Sequence, residues 1–339
     1  MTKVLTFGEL LMRISPDVNG AWLKGNSLPA YMGGAEANVA VALARWGVPS
    51  AYLSVLPDHF LGRQMGAHLE SVGVDVSRVK YMEGRLGTYY LSEGKDLKNT
   101  SVIYDRNASS FSTLAVGMIN WAEVFRDISW FHFSAICPAI SADIAQLCEE
   151  ALRVARQLGI TISLDLNYRN KLWKYGKDPL DVMPSLAKHC DLIMGNIWAA
   201  ECMLGIAQSK SNLESDEDYI AQSLQSSAEI VSLFPACRTV ANTFRFDSGQ
   251  GIRYYSTMLT DEGFYLSDVH LEESVVGKVG SGDCFMAGLI YGFHHQHEEQ
   301  AILDFATAAA VSKLFEYGDF TENTVAEIEL KALNRKNVV

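Results

Sequence analysis

The sequence lacks any apolar run of the ~18 residues that a membrane-spanning helix needs. Near its start, Glu9 interrupts the short apolar run at residues 4–7, so no secretory signal peptide is predicted. Positive charge is also scarce, because 28 lysines and arginines stand against 40 aspartates and glutamates, a net charge of −12 at pH 7. This deficit argues against a nucleic acid or an anionic membrane as partner, although a local pair of arginines can still bind a small anion.

Paired cysteines and the common nucleotide-binding glycine patterns are absent as well. The six cysteines are scattered, with no C-x-x-C pair, which predicts reduced thiols in the cytoplasm and neither disulfides nor a zinc site. Neither G-x-G-x-x-G after a first strand nor G-x-x-x-x-G-K-[ST] occurs. These absences argue against a dinucleotide-dependent enzyme and against a P-loop enzyme.

The sequence does contain a regular alternation of short apolar runs with amphipathic stretches. Strands are predicted at residues 4–7, 51–55, 130–134, 160–165, 192–195 and 239–242. Helices are predicted at residues 35–46, 61–72, 142–158, 197–204, 219–233, 283–294 and 300–315. Four of these helices are followed by a glycine at the C′ position: Gly47, Gly73, Gly159 and Gly205. The alternation predicts an α/β fold with a mostly parallel central sheet flanked by helices.

Two segments break this alternation. Residues 10–31 contain Pro16 and Pro29 with no helical period, and residues 86–106 predict a β-hairpin around a polar turn at 94–99. We expect these segments to form a small β-sheet lid inserted in a single domain that spans residues 1–339. Because such a sheet has open edges, we also expect a homo-oligomer, namely a dimer that pairs through the lid.

The most distinctive local pattern is Gly280-Ser281-Gly282-Asp283, which precedes a predicted helix. The backbone N–H groups of such a loop can point at an anion, and the helix dipole adds positive potential there. Asp283 falls in the first helical turn, where a carboxylate can act as a general base or simply as a helix cap. The loop by itself leaves both interpretations open.

A second glycine pattern, G-G-A-E-A-N at residues 33–38, allows close approach of a ligand to the backbone, but it equally fits a tight turn into a helix. Polar residues also follow three predicted strands. They are Asn167 and Arg169, then Asn196, then Thr243 and Arg245. Because ligands of open parallel sheets bind beyond the carboxyl ends of the strands, these residues form a candidate anion-binding rim.

The early and late glycine patterns, taken together and in this order, resemble those of the ribokinase-like (PfkB) carbohydrate kinases. The resemblance runs from residues 7–9 to residues 318–320. Within that family, residues 33–38, 102–106, 131–134 and 165–173 are similar to stretches of the kinases that act on 2-dehydro-3-deoxygluconate. The resemblance implies the ribokinase-like fold, with the two β-rich segments as its lid. It also implies phosphoryl transfer from ATP, which carries Mg²⁺, to the 6-hydroxyl of that sugar acid.

The resemblance further implies a role for each motif residue. Asp283 is the implied catalytic base, and Gly280, Ser281 and Gly282 form the implied anion hole. The implied sugar-acid contacts are Gly33, Gly34, Asn38, Tyr90, Tyr104, Arg106 and Arg169. The implied nucleotide contacts are Asn167, Asn196, Thr243, Arg245, Gly280 and Gly282. The physical chemistry agrees, because a carboxylated sugar needs a cationic clamp and arginine binds carboxylates in a bidentate manner.

Two positions depart from the family pattern. Gly277 stands where an aspartate that helps to hold a monovalent cation is usual, and Ala199 stands where an acid usually follows Asn196. We therefore expect that activity does not need potassium and that the ammonium of Lys278 takes the electrostatic role of the cation. No protein ligand for a metal is assigned.

Three functions stay open at this point. The complete 280–283 motif favours an active sugar-acid kinase, and Gly277 and Ala199 motivate a non-catalytic sugar- or nucleotide-binding protein instead. Another hexose kinase of the same fold, such as a fructokinase, is the third function, and Arg106 and Arg169 argue against its neutral substrate. The sequence does not indicate which C4 epimer of the sugar acid is preferred.

Overall fold

The computed structural model describes residues 2–16, 20–23, 25–91, 102–209, 213–249 and 251–333. The strands are β1 (Lys3–Phe7), β2 (Leu11–Ile14), β3 (Ala30–Gly33), β4 (Ser50–Leu53), β5 (Val55–Pro57), β6 (Lys80–Met82), β7 (Thr88–Tyr90), β8 (Ile103–Asp105), β9 (Ile128–Ser134), β10 (Thr161–Asp165), β11 (Leu192–Gly195), β12 (Thr239–Ser248), β13 (Gly251–Thr260), β14 (Gly263–Leu266) and β15 (His270–Glu272). The helices are α1 (Ala35–Arg45), α2 (Phe60–Ser71), α3 (Trp121–Val124), α4 (Ala142–Gln157), α5 (Pro179–Ala187), α6 (Ile197–Leu204), α7 (Asp216–Leu233), α8 (Ser281–His294), α9 (Glu299–Lys313) and α10 (Val325–Leu333).

The central sheet has nine strands in the order β14-β13-β12-β11-β10-β9-β1-β4, with β15 beside β13. Neighbours from β12 to β4 are parallel, whereas β13 pairs antiparallel with β12, β14 and β15. The predicted α/β fold with a mostly parallel sheet is therefore confirmed. The prediction of a single strand at residues 51–55 is wrong, because this segment forms two strands, β4 and β5, in different sheets. The Ser54 carbonyl accepts a hydrogen bond from Lys80 N at 3.0 Å, so the chain leaves the central sheet there and β5 pairs with β6.

Helices cover both faces of the sheet because its central strands are apolar on both faces. On β11, Ile193 packs into a core with α4, α5 and α6, whereas Leu192 and Met194 pack into a core with α1, α8 and α9. Helices α8 and α9 lie very close together, since a Cβ on Gly288 would meet the Ala306 Cα at 2.6 Å. This packing holds the N-terminus of α8 at the carboxyl edge of the sheet.

The small sheet confirms the expectation drawn from the two irregular segments. Its order is β3-β2-β7-β8, with β2 and β3 from residues 10–31 and β7 and β8 from residues 86–106. Strands β7 and β8 pair antiparallel, as in the predicted hairpin. The polar turn predicted at 94–99 lies outside the described residues.

Five parts of the fold were not predicted from the sequence: the antiparallel edge formed by β13, β14 and β15, strand β6, and helices α3, α5 and α10. Helix α5 begins with Pro179 and contains Pro184, a composition that indicates a loop when it is considered alone. The four predicted C′ glycines all have positive φ, between 70° and 94°. Among the described residues, no helix is long and apolar enough to cross a membrane.

Candidate active site

Two adjoining cavities lie at the carboxyl edge of the parallel strands. The larger has a volume of about 420 Å³ and extends over the ends of β10 and β11 and the middle of β12. The smaller, of about 60 Å³, lies beneath the small sheet. Asn167, Arg169 and Asp283 line both cavities. These three side chains therefore mark the boundary at which a ligand in one cavity meets a ligand in the other.

Asp283 lies in the first turn of α8 and is almost fully buried. Its Oδ2 accepts a hydrogen bond from Asn38 Nδ2 at 2.5 Å. Burial raises the pKa of the Asp283 carboxyl to about 7; the Asn38 hydrogen bond opposes this shift and the nearby Asp165 charge adds to it. A carboxyl group with this pKa can accept a proton near neutral pH.

Backbone geometry leaves the amide N–H groups of residues 281–283 available to a ligand. Gly280 has φ +79°, and a Cβ there would lie 2.5 Å from the Asp319 carbonyl oxygen, so only glycine fits. The first backbone hydrogen bond of α8 is Cys284 N to Gly280 O, which leaves the N–H groups of residues 281–283 without a partner inside the helix. The Ser281 hydroxyl donates to Ala310 O at 3.0 Å and so ties the loop to α9. The loop is built to receive an anion.

The smaller cavity brings together five of the seven predicted sugar contacts: Gly34, Asn38, Tyr104, Arg106 and Arg169. Gly34 has φ +153°, and a Cβ there would lie 2.4 Å from the Glu9 carbonyl oxygen. Gly33 and Tyr90 lie outside the lining of both cavities. Gly33 packs against the Asp319 carboxylate, and the Tyr90 ring lies 6.3 Å from the Trp22 ring. Strand alternation explains this arrangement, because Tyr89 is the residue of β7 opposite Tyr104 and lines the cavity with it.

The two predicted arginines have different surroundings. Arg106 is buried and donates from Nε to Glu9 Oε2 at 2.6 Å, so its charge is compensated inside the protein. Its neighbour Asp105 is paired with Arg85 instead. Arg169 donates to the Tyr168 carbonyl at 3.0 Å, and among the described residues no acidic side chain lies within ion-pair distance of it. Arg169 is therefore the cation that the cavity offers to a ligand.

Two buried oxygens in the same cavity have no hydrogen-bond partner among the described residues. They are Glu9 Oε1 and Asn38 Oδ1. A buried acceptor without a partner is costly, and it is commonly satisfied by a ligand or a water molecule. Both oxygens are positioned to accept hydrogen bonds from hydroxyl groups.

The larger cavity contains all six predicted nucleotide contacts: Asn167, Asn196, Thr243, Arg245, Gly280 and Gly282. The Asn196 side chain also caps α6 by accepting from Ala199 N at 2.9 Å. Lys278 lines the cavity, and its ammonium donates to Asp247 Oδ1 at 2.6 Å. Lys278 is thus held at the rim, and the expectation that its ammonium takes the place of a cation behind the loop is not met.

Several residues of the site were not singled out from the sequence. Glu9, Tyr89 and Asp319 line the smaller cavity. Asp319 Oδ1 accepts a hydrogen bond at 2.7 Å from Nε of Arg13, which lies on the small sheet. Lys313, the last residue of α9, lies behind Gly280. None of the four stands in a glycine motif or directly after a predicted strand. Glu9 and Asp319 lie in the segments at residues 7–9 and 318–320, where the family resemblance begins and ends, but the sequence analysis gave them no role.

Comparisons with known proteins identify the family of this chain. Residues 1–324 match the family described as pfkB family carbohydrate kinase. A 2-dehydro-3-deoxygalactonokinase from Haloferax volcanii is 30% identical over 96% of this chain and 95% of its own. A 2-dehydro-3-deoxygluconokinase from Bacillus subtilis is 29% identical over 85% of this chain and 82% of its own, and Fructokinase-1 from Zea mays is 27% identical over 85% and 81%.

Solved structures agree with the sequence relatives. The crystal structure of a 2-dehydro-3-deoxygluconokinase from Thermotoga maritima has a TM-score of 0.89 and 31% identity, and it covers 98% of this chain and 99% of its own. A putative ribokinase from E. coli, solved in complex with ATP and Mg²⁺, has a TM-score of 0.76 at 19% identity. It covers 98% of this chain and all of its own, so the two proteins share the fold. The chain therefore belongs to the PfkB family of carbohydrate kinases and is a sugar kinase, a phosphotransferase that acts on an alcohol group.

Proposed function

We propose that this kinase transfers the γ-phosphoryl group of ATP to the 6-hydroxyl of 2-dehydro-3-deoxygluconate. The observation that carries the proposal is the position of Arg169, which lines the small cavity together with the carboxyl of Asp283. A base together with a guanidinium that has no acid within ion-pair distance among the described residues suits a sugar that carries a reactive hydroxyl and a carboxylate. Two relatives described above are kinases of 2-dehydro-3-deoxy sugar acids, which supports the same substrate class.

The small cavity supplies both polar and charged contacts for the sugar acid. Arg169 would bind the carboxylate, and Arg106, compensated by Glu9, would donate hydrogen bonds without adding net charge. The partnerless oxygens of Glu9 and Asn38 would accept from sugar hydroxyls. The role of Tyr104 as a contact is supported by its place in the lining, whereas Gly33 and Tyr90 would act only if the small sheet shifted toward the sugar.

The larger cavity fits a nucleoside triphosphate. Its volume of about 420 Å³ lies within the usual range for small-molecule sites, and the open amides of residues 281–283, with Lys278 and Arg245, suit phosphate oxygens. In the part of the chain that the structure describes, no three His, Cys, Asp or Glu side chains form a metal cluster, so the phosphates themselves would hold Mg²⁺. What the metal supplies when bound with ATP is neutralisation of phosphate charge. The carbonyl oxygens of Asn167 and Asn196 are the protein groups that could face it.

The reaction follows from this arrangement. The sugar hydroxyl oxygen forms a bond to the γ-phosphorus, the bond from that phosphorus to the bridging oxygen breaks, and ADP leaves. The hydroxyl proton passes to Asp283 Oδ1, because Oδ2 already accepts from Asn38. The amides of the 280–282 loop bind the charge on the transferred group. Asp283 is thus the catalytic base in this proposal.

Two further parts of the proposal concern the protein as a whole. We place the reaction in the cytoplasm, an assignment that rests on six cysteines that are all free thiols in the structure. We also propose a homodimer that pairs through the small sheet, because that sheet has open edges. Neither nucleic acid nor membrane is part of the proposal.

The experiment that tests the function is coupled measurement of ADP release with Mg·ATP and a panel of acceptors. The panel holds 2-dehydro-3-deoxygluconate, its C4 epimer 2-dehydro-3-deoxygalactonate, gluconate, fructose and ribose. We expect the highest kcat/KM for a 2-dehydro-3-deoxy acid, and the comparison of epimers gives the C4 preference. A higher kcat/KM for fructose would replace the proposal with a neutral hexose kinase. Saturable sugar binding with no ADP release would indicate a non-catalytic binding protein.

A further inference from the structure

Lys313 is a fully buried cation that none of the roles described above uses. It is the last residue of α9 and has no exposed surface. Lysine is almost never buried to this degree without a partner, because removing an ammonium from water is costly. The burial of Lys313 therefore calls for a compensating role.

The contacts of the Lys313 ammonium compensate it only in part. Its Nζ donates to the Gly318 carbonyl at 3.1 Å, and Glu316 Oε2 lies 3.6 Å away. That Glu316 oxygen has no hydrogen-bond partner among the described residues, so the ion pair lacks a hydrogen bond. An ammonium carries three N–H donors, and within the described chain only the Gly318 carbonyl accepts from this one. Much of its positive potential is therefore left to act on its surroundings.

The surroundings of Lys313 are the back of the anion loop at residues 280–282. The Lys313 Cε lies 3.1 Å from the position that a Cβ on Gly280 would occupy. Its charge also reaches the first turn of α8. Burial raises the pKa of the Cys284 thiol, and the Lys313 charge opposes that rise. Cys284 directly follows Asp283, so the same charge lies close to the loop amides.

We propose that Lys313 is a positioning residue that acts as a built-in cation behind the anion loop. Its charge raises the positive potential at the amides of residues 281–283, where the charge of the transferred phosphoryl group is bound. A fixed charge in a dry interior acts more strongly than one in water. The inference rests on the proposed role of this loop. It assigns Lys313 no contact with the sugar or with ATP.

The test compares three substitutions that separate charge from shape and hydrogen bonding. Lys313→Met keeps the length of the side chain without its charge, Lys313→Gln keeps a donor for Gly318 O, and Lys313→Arg keeps the charge. We expect kcat to fall by ~10–100-fold in Lys313→Met and Lys313→Gln, less than the loss of a direct oxyanion donor. The KM values for ATP and sugar should change by less than about threefold, and Lys313→Arg should retain more kcat than either neutral variant.

A chemical rescue gives a readout that a purely structural lysine would not move. In Lys313→Ala, added ammonium or methylammonium should restore kcat with saturation, whereas tetramethylammonium, which is too large, should not. Lys3→Met is the matched control. Lys3 forms ion pairs with Asp75 and Asp127 at 2.8 and 3.0 Å, at the opposite, amino end of the sheet, so its loss should leave kcat unchanged.

Two outcomes would overturn the inference. The first is that folded Lys313→Met and Lys313→Gln both have the kcat of the wild type. The second is that Lys313→Gln alone retains kcat, which would show that Lys313 acts only as a hydrogen-bond donor. Folding is checked by circular dichroism, and a buried lysine replaced by a hydrophobic residue often retains or gains stability. If Lys313→Met fails to fold, the Gln and Arg pair decides the question. A loss of activity in Asp283→Asn together with normal activity in the folded Lys313 variants would remove this inference and leave the proposed function intact.

Discussion

At the scale of single residues, Asp283 combines burial, a hydrogen bond from Asn38 and a position at a helix N-terminus. We predict that Asp283→Asn keeps the fold and ATP binding but lowers kcat by ~10²–10⁴-fold, the usual contribution of a general base. The amide keeps the shape of the carboxyl and can still accept from Asn38, but it cannot take the hydroxyl proton. Steady-state kinetics with saturating Mg·ATP and sugar acid measure the loss. Near-normal turnover of this variant would remove Asp283 from the role.

The pKa of the same residue predicts a pH dependence. Burial raises the pKa of Asp283 to about 7, and a base is active only when it is deprotonated. We therefore expect kcat/KM to fall about tenfold per pH unit below pH 7 and to level off above it. A pH–rate profile at constant ionic strength measures this, and the residual activity of Asp283→Asn should not show the same inflection. A flat profile between about pH 5.5 and about pH 8, a range that brackets the pKa of Asp283, would contradict the assignment.

Arg169 should distinguish acidic from neutral sugars, because no acid among the described residues lies within ion-pair distance of its guanidinium. We predict that Arg169→Ala raises KM for 2-dehydro-3-deoxygluconate by ~10–150-fold, equivalent to the ~1.5–3 kcal/mol of a charge-assisted hydrogen bond. Turnover of fructose should change much less. Arg85→Ala is the matched control, since Arg85 is half-exposed and pairs with Asp105 of the small sheet. Equal losses for both sugars would assign Arg169 to the nucleotide or to the fold.

At the scale of elements, the anion loop connects the small sheet, α8 and α9. Its Gly280 packs against Asp319, whose carboxylate accepts from Arg13 on β2 and from the Tyr89 hydroxyl on β7. The charge behind the loop comes from α9 through Lys313. A loop of three residues therefore depends on three elements that are distant from one another in sequence.

The residues around the anion loop predict that the activity does not depend on potassium. Gly277 has no side-chain oxygen, and its backbone N–H donates to the Leu314 carbonyl at 3.2 Å, so no side chain at this position can hold a cation. Lys278 is bound to Asp247, and the buried ammonium of Lys313 supplies the charge instead. We expect kcat to change by less than about twofold when tetramethylammonium replaces potassium at constant ionic strength. Abolished turnover under that exchange would contradict the prediction.

At the scale of the whole molecule, the small sheet predicts a dimer. Among the described residues, its four strands leave two edges unpaired, and Ile103 on the edge strand β8 is 64% exposed. Burial of such residues against a second subunit would stabilise both edges. Sedimentation velocity at micromolar concentration should show a dimer. The Ile103→Glu variant should shift the equilibrium toward monomer. The kcat per folded chain is measured for both proteins. A wild-type monomer at that concentration would count against the dimer.

The sequence by itself determined the elements whose signals are local. Apolar runs of strand length, helical periods and C′ glycines need only neighbouring residues, so the parallel strands and seven helices were predicted close to their bounds. The exception is β12, which runs to Ser248 and not to residue 242 as predicted. The 280–283 motif is local too, because a left-handed glycine and a helix N-terminus are set within one turn. These features indicated a ligand site beyond the strand ends, and the family resemblance implied that it is a kinase site.

Only the tertiary structure decided how the charges of the site pair. Glu9 compensates Arg106 across 97 positions and Asp319 compensates Arg13 across 306, and no local pattern encodes either pair. Likewise, Ser54 ends a strand because Lys80 bonds to it, and Tyr89 lines the cavity because β7 pairs with β8 in that register. Lys313 became a cation of the site only through the packing of α9 behind Gly280. Electrostatic energy depends on distance in space and on burial, and both are set by the folded chain and not by spacing along it.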